Sequence, residues 1–185
     1  MTDFSALPKG LPEPTDDGAC DHLPGSELPE IELPLAAGGS YRLRQPGLRV
    51  LYLYPRTGGP GIELPDDWDL IPGARGCTPQ SCSFRDHQAD LQAQGAAVLG
   101  ISAQPIHEQA EFSARMHIPF PLANDAGLVL AQMMQLPTME AGGLTIYKRV
   151  TLLIDDSVID TVWYPVFPPD RNAADVLAYL VSRGS

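Results

Sequence analysis

The chain is poor in positive charge, has few cysteines and lacks any long apolar run. It carries 12 Lys and Arg against 23 Asp and Glu, for a net charge of −11. That balance argues against a nucleic-acid or anionic-membrane partner, since both need a basic face. No stretch approaches the roughly 20 consecutive apolar residues that span a bilayer. The opening residues, Met1 to Pro8, have neither a basic flank nor an apolar signal segment, so the reading is an uncleaved cytoplasmic chain. The cysteine count is 3, an odd number that suits catalytic thiols in a reducing compartment better than a disulfide framework. There is no internal repeat and no Gly-rich phosphate loop; Gly142-Gly143 reads as a turn before an extended segment. What remains is 185 residues, 44% of them hydrophobic, enough for one domain with a core that needs no staples.

The most informative stretch runs from Pro72 to Asp86 and holds Cys77 and Cys82. Gly73 and Gly76 permit a tight turn before the first cysteine. Thr78-Pro79 reads as a helix start, a capping hydroxyl followed by proline at the first helical position. Phe84, Ala89, Leu91 and Ala93 supply its apolar side, and Gln94-Gly95 ends it. Cys77 thus stands at the amino end of a helix, where free amide hydrogens and the dipole favour a thiolate over a thiol. The competing reading, two small core residues, suits a cysteine between a turn and a helix start less well.

The rest of the chain reads as α/β. Residues 1–28, rich in Pro, Asp and Glu, form an extended arm, with residues 29–185 as the domain. Cys20 and His22 in the arm are a weak metal or redox pair. Leu28 to Leu33 and Ser40 to Leu43 read as a hairpin. Leu48 to Tyr54, nearly all apolar, reads as a central strand buried on both faces. Residues 58–75, with three prolines, four acids and Trp68, fit no regular element: either a functional loop or a surface insertion pinned by Trp68. Further on come a strand at 96–102, a helix at 106–117 with Ile106, Ala110 and Phe112 on its apolar side, a short extended piece at 120–123 and a helix at 127–135. Strands at 150–154 and 158–164 form a hairpin, and Asn172 caps a last helix. Strands alternating with helices, then a hairpin and a helix, describe helices around a central mixed sheet.

Three pieces together resemble a known family: Tyr54-Pro55-Arg56-Thr57-Gly58, Gly76-Cys77-Thr78 and Cys82-Ser83-Phe84-Arg85-Asp86. They are similar to the peroxiredoxins, in particular the bacterioferritin-comigratory or Q type. The resemblance, from about Leu28 onward, implies a thioredoxin-like fold and a thiol peroxidase acting on hydrogen peroxide or organic hydroperoxides. It implies Cys77 as the peroxidatic cysteine, Cys82 as the resolving one, and Arg149, just before the 150–154 strand, as the active-site arginine. It also implies regeneration by a thioredoxin-like donor, with no cofactor and no metal, in a monomer or homodimer. A thiolate attacks one peroxide oxygen, and donors must already face the charge developing on the other. The family pattern places proline seven and threonine three residues before the cysteine; here those positions hold Leu70 and Ala74. Thr57, carried beside the cysteine by an insertion, or Thr78 is the candidate hydroxyl. Cys20, in an arm able to reach the site, is the rival resolver.

Two other functions compete. A thiol–disulfide oxidoreductase on the same fold normally carries two cysteines separated by two residues, whereas four separate Cys77 from Cys82. A non-enzymatic metal-binding protein would use Cys20, His22, Cys77 and Cys82, with a spacing irregular for zinc.

Overall fold

The computed structural model describes residues 7–184. Residues 1–6 of the predicted arm lie outside the described residues. In chain order the elements are β1 (Glu32–Pro34), β2 (Ser40–Arg42), β3 (Leu48–Leu53), α1 (Cys77–Asp86), α2 (Gln88–Ala93), β4 (Ala97–Ser102), α3 (Ile106–Arg115) and β5 (Leu122–Asn124). There follow α4 (Val129–Met134), β6 (Thr138–Ala141), β7 (Leu144–Tyr147), β8 (Val150–Asp155), β9 (Val158–Trp163) and α5 (Asn172–Arg183).

Five strands form the central mixed sheet in the order β5-β4-β3-β8-β9. β3 lies in the middle, parallel to β4 and antiparallel to β8. Its alternating side chains feed two cores, which is why it reads as one apolar run. Val50 and Tyr52 face a cluster with Phe84 of α1, Leu91 of α2, Phe112 of α3 and Val176 of α5. Leu51 and Leu53 face the other cluster, with Leu130 of α4 and Leu23, Leu28 and Cys20 from the N-terminal segment. This is the thioredoxin-like α/β architecture expected from the sequence. The β1–β2 hairpin forms as expected, and a second hairpin, β6–β7, turns at Gly142-Gly143.

Several local expectations are corrected. The helix starts one residue earlier than Thr78: Cys77 is its first residue, Gly76 precedes it in a left-handed conformation (φ 110°), and no side chain caps it. It breaks at His87, so one predicted helix becomes α1 and α2. In α3 the side chain of Ile106 is exposed, while Glu108, Gln109 and Phe112 are buried. The polar pair tolerates burial because each finds partners: Gln109 Nε2 donates to Ala123 O (3.1 Å), and Glu108 accepts from Arg56. Asn172 does not cap α5; its side chain points to β8 and α1, as described below.

Residues 7–28 contain no helix or strand beyond a single bridge between Glu27 and Val158. They are nonetheless packed on the domain. Leu23, Leu28 and Cys20 are buried, Gly25 N donates to Ile159 O (2.7 Å), and Leu28 N donates to Ser157 O (2.8 Å). Asp17 accepts from Lys148 Nζ (2.8 Å) and from the Tyr164 hydroxyl (2.7 Å), and these bonds pull its carboxyl down to about 2.

Candidate active site

The site forms where β3 ends. Leu53 at the end of β3 is paired with Val150 at the start of β8, so Arg149 falls at the edge over which the chain leaves β3. The two-residue period of a strand puts Arg149, Thr151 and Leu153 on one face of β8, the face that α1 and α5 cover. Arg149 is therefore aimed at the amino end of α1.

Cys77 opens α1 and is 3% exposed. Arg149 Nη2 lies 3.3 Å from its Sγ, and the thiol donates weakly to Ala74 O at 3.7 Å. The same Nη2 lies 3.2–3.3 Å from the carbonyl oxygens of Gly73, Ala74 and Arg75, so the guanidinium holds the loop that precedes the cysteine. Gly76 is required at the join. A Cβ there would lie 2.3 Å from Pro169 Cγ, and the backbone is in the left-handed region. The first-turn amides of Cys77 and Thr78 have no intrahelical acceptor, and Pro79 has no amide hydrogen to satisfy.

A buried polar chain fixes the guanidinium. Arg149 Nη1 donates to Gln80 Oε1 (2.5 Å), Gln80 Nε2 donates to Asn172 Oδ1 (2.9 Å), and Thr151 Oγ1 donates to the same Oδ1 (2.7 Å). All four residues are at most 3% exposed. Among the described residues, the guanidinium's partners are an amide, three carbonyls and a sulfur, with no carboxylate, so its charge is left for the sulfur. Arg56 and Arg75, which also border the site, are instead matched by acids. Arg56 forms a two-point pair with Glu108 (2.6 and 3.0 Å), and Arg75 pairs with Asp69 (3.2 Å).

Around Cys77 lies a cavity of about 10 Å³, walled by Arg56, Gly58, Leu64, Trp68, Arg75, Gly76 and the first two residues of α1, Cys77 and Thr78. Thr78 borders it directly. Thr57 sits in the chain between two wall residues, but its side chain is engaged elsewhere: Gln104 Oε1 accepts from its amide (3.0 Å), and Gln104 Nε2 donates to its hydroxyl (3.0 Å). Ala74, at the position where the family pattern has threonine, contributes only its carbonyl. Cys82 is half-buried on the same helix, and burial raises its thiol above the ordinary range. Cys20 is buried in the cluster on the opposite face of the sheet, and burial, then the acids Asp17, Asp16 and Asp21, push it up to about 12. All three cysteines are free thiols.

Sequence pattern alone does not mark Gln80, Thr151, Asn172 or Trp68 as site residues. Gln80 carried a signal: three residues after Cys77, it lies on the same helical face. Asn172 was masked by its position, since a polar residue opening a helix reads first as a cap.

A thiol at a helix start, under a buried arginine whose charge no acid cancels, on a thioredoxin-like sheet, defines the class of thiol-based redox enzymes. The AhpC/TSA family model matches residues 70–161. A putative peroxiredoxin of Mycobacterium tuberculosis is 30% identical over 160 residues, covering 84% of this chain and 94% of that protein. A putative peroxiredoxin bcp of Coxiella burnetii is 30% identical over 162 residues, covering 84% of this chain and 97% of that protein. The crystal structure of peroxidoxin BcpB from Mycobacterium tuberculosis matches with a TM-score of 0.70 at 29% identity, over 87% of this chain and 98% of that one. A cysteine-to-serine variant of PrxQ from Xylella fastidiosa shares the fold, with a TM-score of 0.71 at 22% identity, over 89% of this chain and 99% of that one. The chain belongs to the peroxiredoxin family, of the Q or bacterioferritin-comigratory type. It is a thiol-dependent peroxidase, and its family reduces peroxides with electrons from thioredoxin-type donors.

Proposed function

We propose that Cys77 is the peroxidatic cysteine and that Arg149 is its electrostatic partner. The 3.3 Å contact between Arg149 Nη2 and Cys77 Sγ is the observation that carries this reading. The Cys77 thiolate attacks one oxygen of the peroxide. An S–O bond forms as the O–O bond breaks; sulfur is oxidised to sulfenic acid, and the departing oxygen leaves as hydroxide that takes a proton from solvent. Nη2 and the first-turn amides stabilise the charge that moves from sulfur to that oxygen. Of the two candidate hydroxyls, Thr78 supplies the donor, because it borders the cavity while Thr57 is held by Gln104. A Thr78→Val enzyme slower than Thr57→Val supports this assignment, and the reverse order returns the role to Thr57. Cys82 then attacks the sulfenic sulfur, releasing water and leaving a Cys77–Cys82 disulfide for a thioredoxin-like dithiol to reduce.

The remaining features complete the proposal: a cytoplasmic enzyme, monomeric or homodimeric, with an arm at 1–28 and the domain at 29–185. Among the described residues, no helix is long and apolar enough to cross a membrane. The metal-binding alternative is disfavoured: no three His, Cys, Asp or Glu side chains converge among the described residues, and Cys20 and Cys77 lie in different cores. The deciding experiment is stopped-flow consumption of hydrogen peroxide. Loss of the fast phase in Cys77→Ser is expected. A full-speed Cys77→Ser enzyme overturns the assignment, and insulin reduction without peroxide consumption returns the oxidoreductase reading.

A further inference from the structure

We infer that residues 58–75 form a fixed lid that restricts this peroxidase to hydrogen peroxide, with Trp68 and Leu64 as the residues that set the restriction. The inference rests on Cys77 being the peroxidatic residue and specifies which peroxides reach it.

The starting point is the size of the space at the sulfur. The cavity that Cys77 borders encloses about 10 Å³, room for about one water molecule. That volume admits one peroxide oxygen at a time. A tertiary alkyl or aryl group is larger than that volume. Four of the eight residues that wall the cavity come from 58–75 and two, Cys77 and Thr78, from α1, with Arg56 and Gly76 flanking the lid. The restriction is therefore made by the irregular stretch rather than by the catalytic helix.

The lid is held at several points. Trp68, 5% exposed, packs with Ala74 and with Ala141 and Ile146 of the β6–β7 hairpin, and Leu64 joins the same cluster. The hairpin turn presses on the lid directly, since a Cβ at Gly142 would meet Pro65 Cγ at 2.5 Å. Within the lid, Trp68 N donates to Pro65 O (2.9 Å), and Ala74 N donates to Ile71 O (3.1 Å). At its upstream end Arg115 Nη2 donates to Gly58 O (3.0 Å), and at its downstream end Arg149 holds the carbonyls of Gly73, Ala74 and Arg75. A segment pinned at both ends and glued to a hairpin does not swing away for a bulky substrate without breaking an apolar cluster.

A roomier cavity of about 240 Å³ exists nearby, bordered by Pro14, Ile71, Met139, Arg149, Tyr164 and Val166 among others, but Cys77 is not in its walls. Neither Cys77 nor Thr78 lines it, so an organic group lodged there does not touch the sulfur.

The test compares second-order rate constants for oxidation of the reduced enzyme by hydrogen peroxide and by cumene hydroperoxide, in wild type, Trp68→Ala and Leu64→Ala. Leu64→Ala is the milder change and guards against a Trp68→Ala protein that fails to fold, which far-UV circular dichroism detects. In the wild type, hydrogen peroxide is expected to react about 100-fold faster or more, and in either folded variant the ratio should shift toward cumene hydroperoxide by about tenfold or more, the scale of a steric clash of a few methylenes. A wild type that takes both peroxides at equal rates overturns the inference, as does an unchanged ratio in Leu64→Ala. Failure of the underlying assignment looks different: Cys77→Ser then consumes hydrogen peroxide at the wild-type rate.

Discussion

Arg149 and Cys77 are 72 residues apart in the chain and 3.3 Å apart at Nη2 and Sγ. The antiparallel pairing of β3 with β8 closes that distance, because it brings the start of β8 to the end of β3. The guanidinium is held by neutral groups, so removing it takes away the charge that faces the sulfur without stranding a carboxylate.

Arg149→Met is therefore expected to slow Cys77 oxidation by about 10²–10³-fold, the cost of losing one preorganised donor to a developing anion. The expected far-UV spectrum is that of wild type. Arg149→Lys should recover little, because an ammonium cannot hold Gln80 and reach the sulfur at once as a planar fork does. Single-turnover stopped-flow kinetics check this, and wild-type rates in Arg149→Met would remove Arg149 from the mechanism.

Gln80 and Asn172 should act as one unit. Each single Ala substitution is expected to slow peroxide reduction by about tenfold or more, through a displaced guanidinium. The double variant should be little worse than either single, since the chain from Arg149 through Gln80 to Asn172 is already broken by one change. A double-mutant cycle on the oxidation rate measures it. Strict additivity would show that the two residues act separately.

One equivalent of peroxide should yield a Cys77–Cys82 disulfide with a loss of helical signal. Both residues lie on α1. Five positions along an α-helix mean a rise of about 7.5 Å and a rotation of about 140°, whereas a disulfide tolerates Cα separations up to about 6.8 Å. Closing the bond must undo the first turn, including the Gln80 N to Gly76 O bond (3.0 Å). Peptide mapping beside far-UV circular dichroism reads both effects. A Cys20–Cys77 product would require Cys20 to leave the core on the far side of the sheet, and finding it would refute the assignment of Cys82.

Cys20 should make the fold alkali-sensitive. Its thiol is raised from an ordinary 9.0 to about 12, first by burial and then by neighbouring acids. The folded protein then binds a proton that the unfolded chain releases above pH 9, so stability is fully present below about 9 and falls as pH rises toward 12. Urea midpoints measured from pH 8 to pH 10.5 should decline less steeply in Cys20→Ala than in wild type. Parallel slopes in the two proteins would show that Cys20 does not contribute.

How much of this was legible beforehand depends on the range of the interaction involved. The sheet's central strand, the hairpins at 32–42 and 150–163 and the place of Cys77 at a helix start are consequences of local pattern: side-chain period, turn residues and a glycine before the cysteine. The helix starts differ from local pattern by one or two residues because Thr78 and Asn172 have the chemistry of caps, and nothing local says that a buried partner claims Asn172 instead.

The α/β class, the apolar runs that become buried strands and the pair of cysteines five residues apart are all written in local sequence. These depend on neighbours in the chain. The folded chain adds that Gln80, Thr151 and Asn172 hold Arg149, that Thr57 uses its hydroxyl on Gln104, and that Cys20 is packed in the opposite core. It alone decided that Trp68 walls the sulfur's cavity while resting on the β6–β7 hairpin. The reason is physical: a buried polar or aromatic side chain is stable only where its partners meet it, and those partners come from strands and loops tens of residues away, brought together by the register of the sheet.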